Sequence, residues 1–336
     1  MSVRVLRPGL LTTVQDGGRR GLQHLGIVPG GAMDPTAFGF ANALVGNDAG
    51  EAALEITLLG PQLAFETDAL IALCGAEFDA TLDGQALPRD RPVLVKAGGR
   101  LATGRAHRGS RAYLGVAGGI ALEPLLGSRS TYLPAGFGGF QGRALRAGDV
   151  LPLAPDAAAL ASRHARTLQL PDPGGAPLRS AHWSAPSLTL PEQEFSVIHA
   201  MQGRHFGWFD AASQRGLFDV TWRVSPDSDR MGFRLLGPAL ARLDRDEILS
   251  EPTCLGTVQV PADGAPIALM VDHQTTGGYP KIAEIAGADM PRLAQLAPGA
   301  ALRFARCTLT EALELRRVAR RRFEAARRGI AWKYQT

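Results

Sequence analysis

The chain has 336 residues, of which 45% are hydrophobic and 20% charged, enough apolar material for two ordinary domains. No apolar run approaches the ~20 residues that span a bilayer, and the N-terminus, MSVRVLRPGLLTTVQD, lacks the apolar core of a signal peptide, so the sequence predicts no membrane partner and a cytoplasmic location. The net charge is +4 and the isoelectric point about 9.2, but the basic residues are nearly all arginine, Lys96, Lys281 and Lys333 being the only lysines, and no aromatic stacking motif accompanies them. No nucleic-acid partner is expected. Cys74, Cys254 and Cys307 are few and far apart, and the seven histidines are scattered, with His199 and His205 at a spacing that fits no zinc signature, so neither a disulfide framework nor a structural metal is predicted.

In chain order, the first half alternates short apolar runs with glycine-rich turns: ALEITLLGPQLAF, ALIALCGAEF, RAYLGVAGGI and the turn-heavy GSRSTYLPAGFGGFQGRALRAGD. This is the texture of a mainly β domain. One helix interrupts it, predicted over Pro35–Val45, with Asp34 as N-cap and Pro35 in the first turn. The stretch from Pro155 to Pro191 is rich in Ala, Pro, Ser and Gly and reads as a connector. A second β-rich part runs from Glu194 to Phe304, and Leu309–Gly329 reads as a basic amphipathic helix whose apolar stripe packs on the body or docks on an acidic partner. The predicted division is residues 1–155 for an N-terminal β lobe, 156–193 for a linker, 194–306 for a C-terminal β lobe and 307–336 for the terminal helix.

The two halves echo one another. GGAMDPTAFGFANALVG, ALEITLLGPQL and ALIALCGA in the first match DSDRMGFRLLGPAL, EILSEPTCLGTVQV and PIALMVDH in the second, in order and spacing more than in residues. Two related barrels explain the echo, with a cleft between lobes as a common small-molecule site.

The most polar interruption of a strand pattern lies between Asp272 and Tyr279, DHQTTGGY, flanked by the strand-like Val258–Val260 and Pro266–Val271. Asp272, His273, Gln274 and Thr275 offer charge, proton transfer and hydrogen bonding, and Gly277 and Gly278 permit close approach of a ligand to the backbone. A hairpin turn that satisfies its own amides is the alternative. Upstream, Glu251 ends a strand-like piece, as a base or as an ion-pair partner. In SPDSDRMGFRLLG, Asp227, Asp229 and Arg230 read as a turn followed by a strand. In the N-terminal run VQDGGRRGLQHLGIVPGGAMD, Arg19 suits a carboxylate or phosphate, with Gln15, Asp16 and Asp34 nearby in sequence and Asp16 placed to orient it, or else Arg19 closes an internal salt bridge. Ser128, Arg129 and Ser130 in GSRST concentrate donors for an anion. No P-loop, GxSxG elbow or cysteine-nucleophile motif is present.

Taken together, VQDGGRRG, GAMD with ANALVGN, ALEITLLGP, VAGGI, GSRST, GFGGFQGRAL, SDRMGFRLLGP and QVPADGAPIALMVDHQTTGGYPKIA resemble the allophanate hydrolase subunit 2 family over nearly the whole chain. That family includes the C-type subunit of bacterial ATP-dependent 5-oxoprolinase and the carboxyltransferase domain of urea carboxylase. The resemblance implies two tandem cyclophilin-like β-barrel lobes. It implies a role in opening 5-oxo-L-proline to L-glutamate with ATP and Mg²⁺, alongside a smaller cyclophilin-like B-type subunit and a third, A-type subunit. It assigns Asp272, His273 and Glu251 to catalysis, and Gln15, Asp16, Arg19, Asp34, Ser128, Arg129, Ser130, Gln274, Thr275, Gly277, Gly278 and Tyr279 to substrate or nucleotide binding. The alternatives it leaves are carboxyl transfer from carboxybiotin, on a separate carrier protein, to urea or a related amide, and a non-catalytic regulatory subunit that antagonises a kinase inhibitor. Two positions depart from the family pattern: Pro252, where a residue with a backbone donor is usual, and Gly31, where serine is common.

Overall fold

The computed structural model describes residues 1–171, 178–186, 194–243 and 248–335. The chain falls into two compact units: unit 1 is Met1–Gly18, Asp34–Leu190 and Arg322–Thr336, and unit 2 is Arg19–Met33 and Pro191–Arg321. Residues 172–177 and 187–193 of the expected connector lie outside the described residues.

Unit 1 is built on a ten-stranded sheet in which every pairing is antiparallel. Its strands are β1 (Ser2–Arg7), β2 (Leu11–Gln15), β3 (Ala53–Thr57), β4 (Gln62–Phe65), β5 (Ala69–Leu82), β6 (Gln85–Ala86), β7 (Val93–Val95), β8 (Arg100–Val116), β9 (Val150–Pro152) and β10 (Arg179–Ser180). The order is β10-β7-β5-β8-β4-β1-β9, and β2 and β3 extend the pairing of the other end of β8. The spine is the long β5–β8 pair, in register from Ile71–Val116 to Leu82–Leu101 with irregularities between Gly75 and Ala80. The pattern of β5 shows how sequence drives this. Its first eight residues, ALIALCGA, are all buried, as a strand covered on both faces must be, whereas FDATL alternates inward and outward.

Helices α1 (Pro35–Leu44) and α2 (Ala157–Thr167) pack on β5, and α1 also packs on β8. The Asp34 carboxylate accepts from the amides of Thr36 and Ala37, both at 3.0 Å, which starts α1 where the sequence predicts it. Small residues let α1 sit close to the sheet: a Cβ on Gly115 would lie 2.5 Å from the Ala41 carbonyl oxygen. Helix α2 falls inside the stretch read as a connector, because Ala157, Ala161 and Ala165 form an i, i+4, i+8 stripe small enough to bury completely.

Unit 2 holds a closed barrel, β11-β18-β15-β16-β13-β12-β19, and a separate two-stranded sheet, β14-β17. The strands are β11 (Ser196–Gln202), β12 (Trp222–Val224), β13 (Gly232–Leu236), β14 (Glu251–Pro252), β15 (Thr257–Gln259), β16 (Ile267–Leu269), β17 (Thr276–Gly277), β18 (Lys281–Ile285) and β19 (Ala301–Arg306). A parallel pairing of β11 with β19 closes the ring and removes its edges. Trp222 is fully buried in it, its indole N–H donating to the Leu217 carbonyl at 3.0 Å. Helices α3 (Ala211–Asp219) and α4 (Met290–Ala294) complete the unit, and α5 (Leu309–Lys333) follows, four residues longer than predicted. The fold is thus mainly β with a C-terminal helix.

The echo between the halves breaks at one place. GGAMDPTAFGF becomes a helix because Asp34 caps it, whereas in DSDRMGF the Asp229 carboxylate accepts from the amides of Met231 and Gly232 (2.8 and 3.2 Å), an Asx turn that leads into β13.

Candidate functional site

The two polar motifs of the second half meet on the small β14–β17 sheet. Glu251 pairs with Gly277 and Pro252 with Thr276, and the Thr253 amide donates to the Thr275 carbonyl at 3.0 Å. Both glycines are closely approached by their neighbours. A Cβ on Gly277 would lie 2.9 Å from the Gln259 side-chain nitrogen and 3.2 Å from that of Gln274, and one on Gly278 would lie 3.0 Å from the Ile248 carbonyl. Gln274 Nε2 donates to Gln259 Oε1 at 3.3 Å, so two amide side chains sit beside glycine backbone. Thr275 and Gln274 are half-buried, and Tyr279 is 49% exposed.

Asp272 and His273 point inward from this sheet. Asp272 is 1% exposed and held bidentately by Arg230, itself 4% exposed, at 2.9 and 3.2 Å. Arg230 also donates to the Gly31 carbonyl at 2.6 Å, and the Gly30 amide donates to the Val271 carbonyl at 3.1 Å. These bonds stitch the Arg19–Met33 segment onto the barrel of unit 2. They also bring Arg19 in: a Cβ on Gly30 would be 3.5 Å from Asp272 Oδ1 and 3.7 Å from Arg19 Nη1. Gly31 adopts φ +92°, a conformation that disfavours any side chain. His273 is 1% exposed, with Nδ1 2.7 Å from the Gln274 carbonyl and 3.1 Å from Thr253 Oγ1. Burial pushes its pKa down, so it is a neutral imidazole donating from Nδ1 to a carbonyl.

Glu251 has a different environment. One carboxylate oxygen lies 2.9 Å from Lys281 Nζ and 3.8 Å from His205 Nε2, and the other accepts from Arg204 at 3.0 Å. Lys281 above all, with Arg204, holds the carboxyl below the usual range, so it is ionised at neutral pH. The Lys281 ammonium also donates to the Pro252 carbonyl, so the residue that lacks an amide donor serves as an acceptor. His205 accepts from the Lys281 amide through Nδ1 at 3.1 Å, which leaves its proton on Nε2, facing Glu251. Burial lowers its pKa, and Trp208 packs on it at 4.5 Å. Farther along β18, Glu284 accepts from Thr257 at 2.8 Å, and burial raises its pKa. Lys281 lowers both carboxyls, as the leading partner of Glu251 and as a minor influence on Glu284, whose net upward shift comes from burial. Sequence reasoning gave no site role to Lys281, His205, Arg230, Gln259 or Glu284. The signal for Lys281 was its rarity, one of three lysines in an arginine-rich chain, directly after GGYP.

The first-half residues form a separate group in unit 1. Asp16 is 5% exposed, and its carboxylate accepts from Ser128, Ser130 and the amides of Gly18 and Arg129. These four donors, rather than Arg19, hold it. Arg129 Nε donates to the Leu122 carbonyl at 2.6 Å. Gln15, fully buried, donates to Thr13 and to the Thr131 carbonyl at 3.1 and 3.2 Å. Asp34 caps α1, and its amide donates to the Tyr113 hydroxyl, which donates to Glu55 at 2.7 Å. The GSRST and VQD motifs therefore lock one loop to another. Among the described residues no group of three or more His, Cys, Asp and Glu is arranged to hold a metal ion, and no helix is long and apolar enough to cross a membrane.

Comparison with known proteins gives this geometry a family. Residues 25–306 match the model of the carboxyltransferase domain, subdomain A and B. The chain is 42% identical to the C-type subunit of 5-oxoprolinase from Escherichia coli, over 98% of this chain and 98% of that protein. It is 33% identical to urea amidolyase of Saccharomyces cerevisiae, over 90% of this chain but 16% of that protein. The crystal structure of the Kluyveromyces lactis urea amidolyase superposes with a TM-score of 0.86 at 31% identity, covering 97% of this chain and 20% of the yeast one. The two-unit β fold, the paired SEPTC and DHQTTGGY motifs and these matches place the chain in the carboxyltransferase subdomain A and B family, to which the 5-oxoprolinase C-type subunits and the urea amidolyase domain are similar throughout its length.

Proposed function

We propose that this chain is the C-type subunit of an ATP-dependent 5-oxoprolinase, acting with a smaller B-type and a third A-type subunit to open 5-oxo-L-proline to L-glutamate. The observation that carries the reading is the 42% identity to a C-type subunit of 5-oxoprolinase over 98% of both chains. The chemical difficulty is that a lactam carbonyl is a poor electrophile. Transfer of the γ-phosphoryl group of ATP to the lactam oxygen makes the ring carbon open to water. Attack of water, cleavage of the ring C–N bond and loss of phosphate then give glutamate, ADP and phosphate, with a second water consumed overall.

The residues on β14, β17 and β18 suit parts of that task. Lys281 and Arg204 supply positive charge for a carboxylate or phosphate. The side-chain amides of Gln259 and Gln274 complement the donor and acceptor of a lactam. Glu251, ionised, can take a proton from water and return it to the leaving nitrogen, with His205 Nε2–H 3.8 Å from its carboxylate. In this reading Asp272 and His273 hold the motif in place from behind. Mg²⁺ would arrive with ATP and offset triphosphate charge, and no step is assigned to an ion held by protein ligands.

The test is ATP hydrolysis by the chain co-purified with its two partner subunits, with 5-oxoproline, urea or no substrate. Stimulation by 5-oxoproline alone supports the proposal, and a folded three-part mixture without it overturns the proposal. A second reading, carboxyl transfer from carboxybiotin to urea or a related amide, rests on the likeness to urea amidolyase, and capture of a biotinylated carrier would favour it.

A further inference from the structure

Within unit 1, the C-terminal end of α1, helix α2 and the last turns of α5 border a half-open cavity of about 450 Å³, within the size range of small-molecule sites. Its walls are built by specific contacts. The Tyr334 hydroxyl donates to the Leu44 carbonyl at 2.6 Å, His164 Nδ1 lies 3.2 Å from the Val45 carbonyl, and the two rings meet edge to face at 4.9 Å. Gly46 makes room for them: with φ +76°, it would place a Cβ 2.7 Å from His164 Cε1 and 3.3 Å from Tyr334 Cε1.

The lining chemistry has one sign. Arg163 from α2 and Arg327 from α5 both border the cavity, together with Thr167 and with Asn47, whose side-chain amide is held by Asn42, Val116 and Gly118, and no aspartate or glutamate does so among the described residues. Arg163 belongs to none of the ion pairs among the described residues, and Arg327 stacks over the Phe323 ring at 5.9 Å. Two guanidinium groups on different helices around a polar cavity without a carboxylate lack a counter-charge, and a planar fork of donors matches phosphate and carboxylate oxygens best.

We propose that the α1–α2–α5 cavity of unit 1 binds a small multivalent oxyanion, a phosphate or a dicarboxylate compound, clamped between Arg163 and Arg327. Such a ligand ties α2 to the end of α5 and stabilises the folded chain by mass action. The site does not depend on the 5-oxoprolinase reading.

The full chain at low ionic strength is titrated with inorganic phosphate and, separately, with glutarate. Calorimetry and the thermal midpoint follow binding, and sodium chloride at matched ionic strength is the control. Saturable binding beyond the chloride control, weakened at least about tenfold in Arg163→Gln/Arg327→Gln (about 1.4 kcal/mol), is the expected result. Saturation by phosphate alone or by glutarate alone upholds the site and names its ligand. No saturable binding up to about 10 mM, well above the concentration at which an affinity of about −4 kcal/mol shows itself, overturns the proposal, as does affinity unchanged in the double variant. Both arginines are exposed, so the variants are expected to fold. Should the double variant lose its wild-type melting transition, the two single variants carry the same test. Shifts of the His164 and Tyr334 ring resonances on titration provide a readout independent of either substitution.

Discussion

Asp272 and Glu251 are carboxylates held by the same small sheet, yet their surroundings differ in every respect that matters. Asp272 is 1% exposed and held on both oxygens by the buried Arg230. The Glu251 side chain is 19% exposed, with a lysine and an arginine on its oxygens and an imidazole nitrogen 3.8 Å away. The first arrangement carries no spare capacity. Its ionic bonds tie the barrel, the DHQTTGGY turn and the Arg19–Met33 segment into one unit, so its loss is a loss of structure. The second is partly open to solvent, its pKa lowered chiefly by Lys281, while burial raises that of Glu284 farther along β18. Proximity in sequence to a glycine-rich polar motif therefore does not by itself separate a sealed carboxylate from a partly exposed one; burial and partners do.

The comparison breaks first at the buried pair. Asp272→Ala leaves the Arg230 guanidinium buried without its counter-charge, and a loss of about 3–5 kcal/mol is expected in urea unfolding of unit 2. A midpoint within experimental error of wild type would show that the pair is not structural. Glu251→Gln is the counterpart. Unfolding should change by less than about 1 kcal/mol because the pair is partly exposed, while 5-oxoproline-dependent ATP hydrolysis of the assembled complex falls on the order of 10²-fold or more. Equal losses of stability and activity in both variants would erase the distinction.

A steric control follows. Gly115→Ala drives a methyl against the Ala41 carbonyl in unit 1 and should cost about 1–3 kcal/mol without altering Glu251-dependent chemistry.

The pH dependence sharpens the contrast further. Burial lowers the pKa of His273, so the unfolded chain takes up a proton first, and stability falls as pH drops below about 6.5. The Glu251 ion pairs instead contribute fully above about 4.5 and fade as pH falls through the depressed folded pKa. Urea midpoints between pH 7 and 5 should decline in wild type and decline less in His273→Gln, whereas Glu251→Gln should differ from wild type by a constant amount above about pH 4.5 and converge on it as pH falls further. The smallest effect belongs to α5. Thr308 accepts from the Glu311 amide at 3.2 Å and Glu311 accepts from the Thr308 amide at 2.7 Å, a capping box whose loss in Thr308→Ala costs about 1 kcal/mol.

Much of the fold was legible locally. The Asp34–Pro35 start of α1, the mainly β texture and the basic terminal helix all follow from short-range patterns, because capping, alternation and amphipathicity act within a few residues. The connector reading missed α2, whose alanine stripe carries little hydrophobic contrast. Of the candidate site, the pairing of SEPTC with DHQTTGGY emerges from separate stretches that each looked polar and strand-bounded. The partners Lys281, His205 and Arg230 come from three separate stretches of the chain, and no spacing rule links them.

By itself, then, the sequence determined the mainly β texture, the capped start of α1, the basic terminal helix, and which loops carry polar groups in unusual density, since those outcomes rest on propensity and periodicity. Only the tertiary structure decided that Arg19 joins unit 2 through Arg230 and Val271 while Asp16 stays with Ser128 and Ser130 in unit 1. It also decided that Asp272 is sealed while Glu251 is open. Burial and the pairing of charges distant in sequence are properties of closed packing, and a chain read residue by residue does not contain them until the barrel has closed.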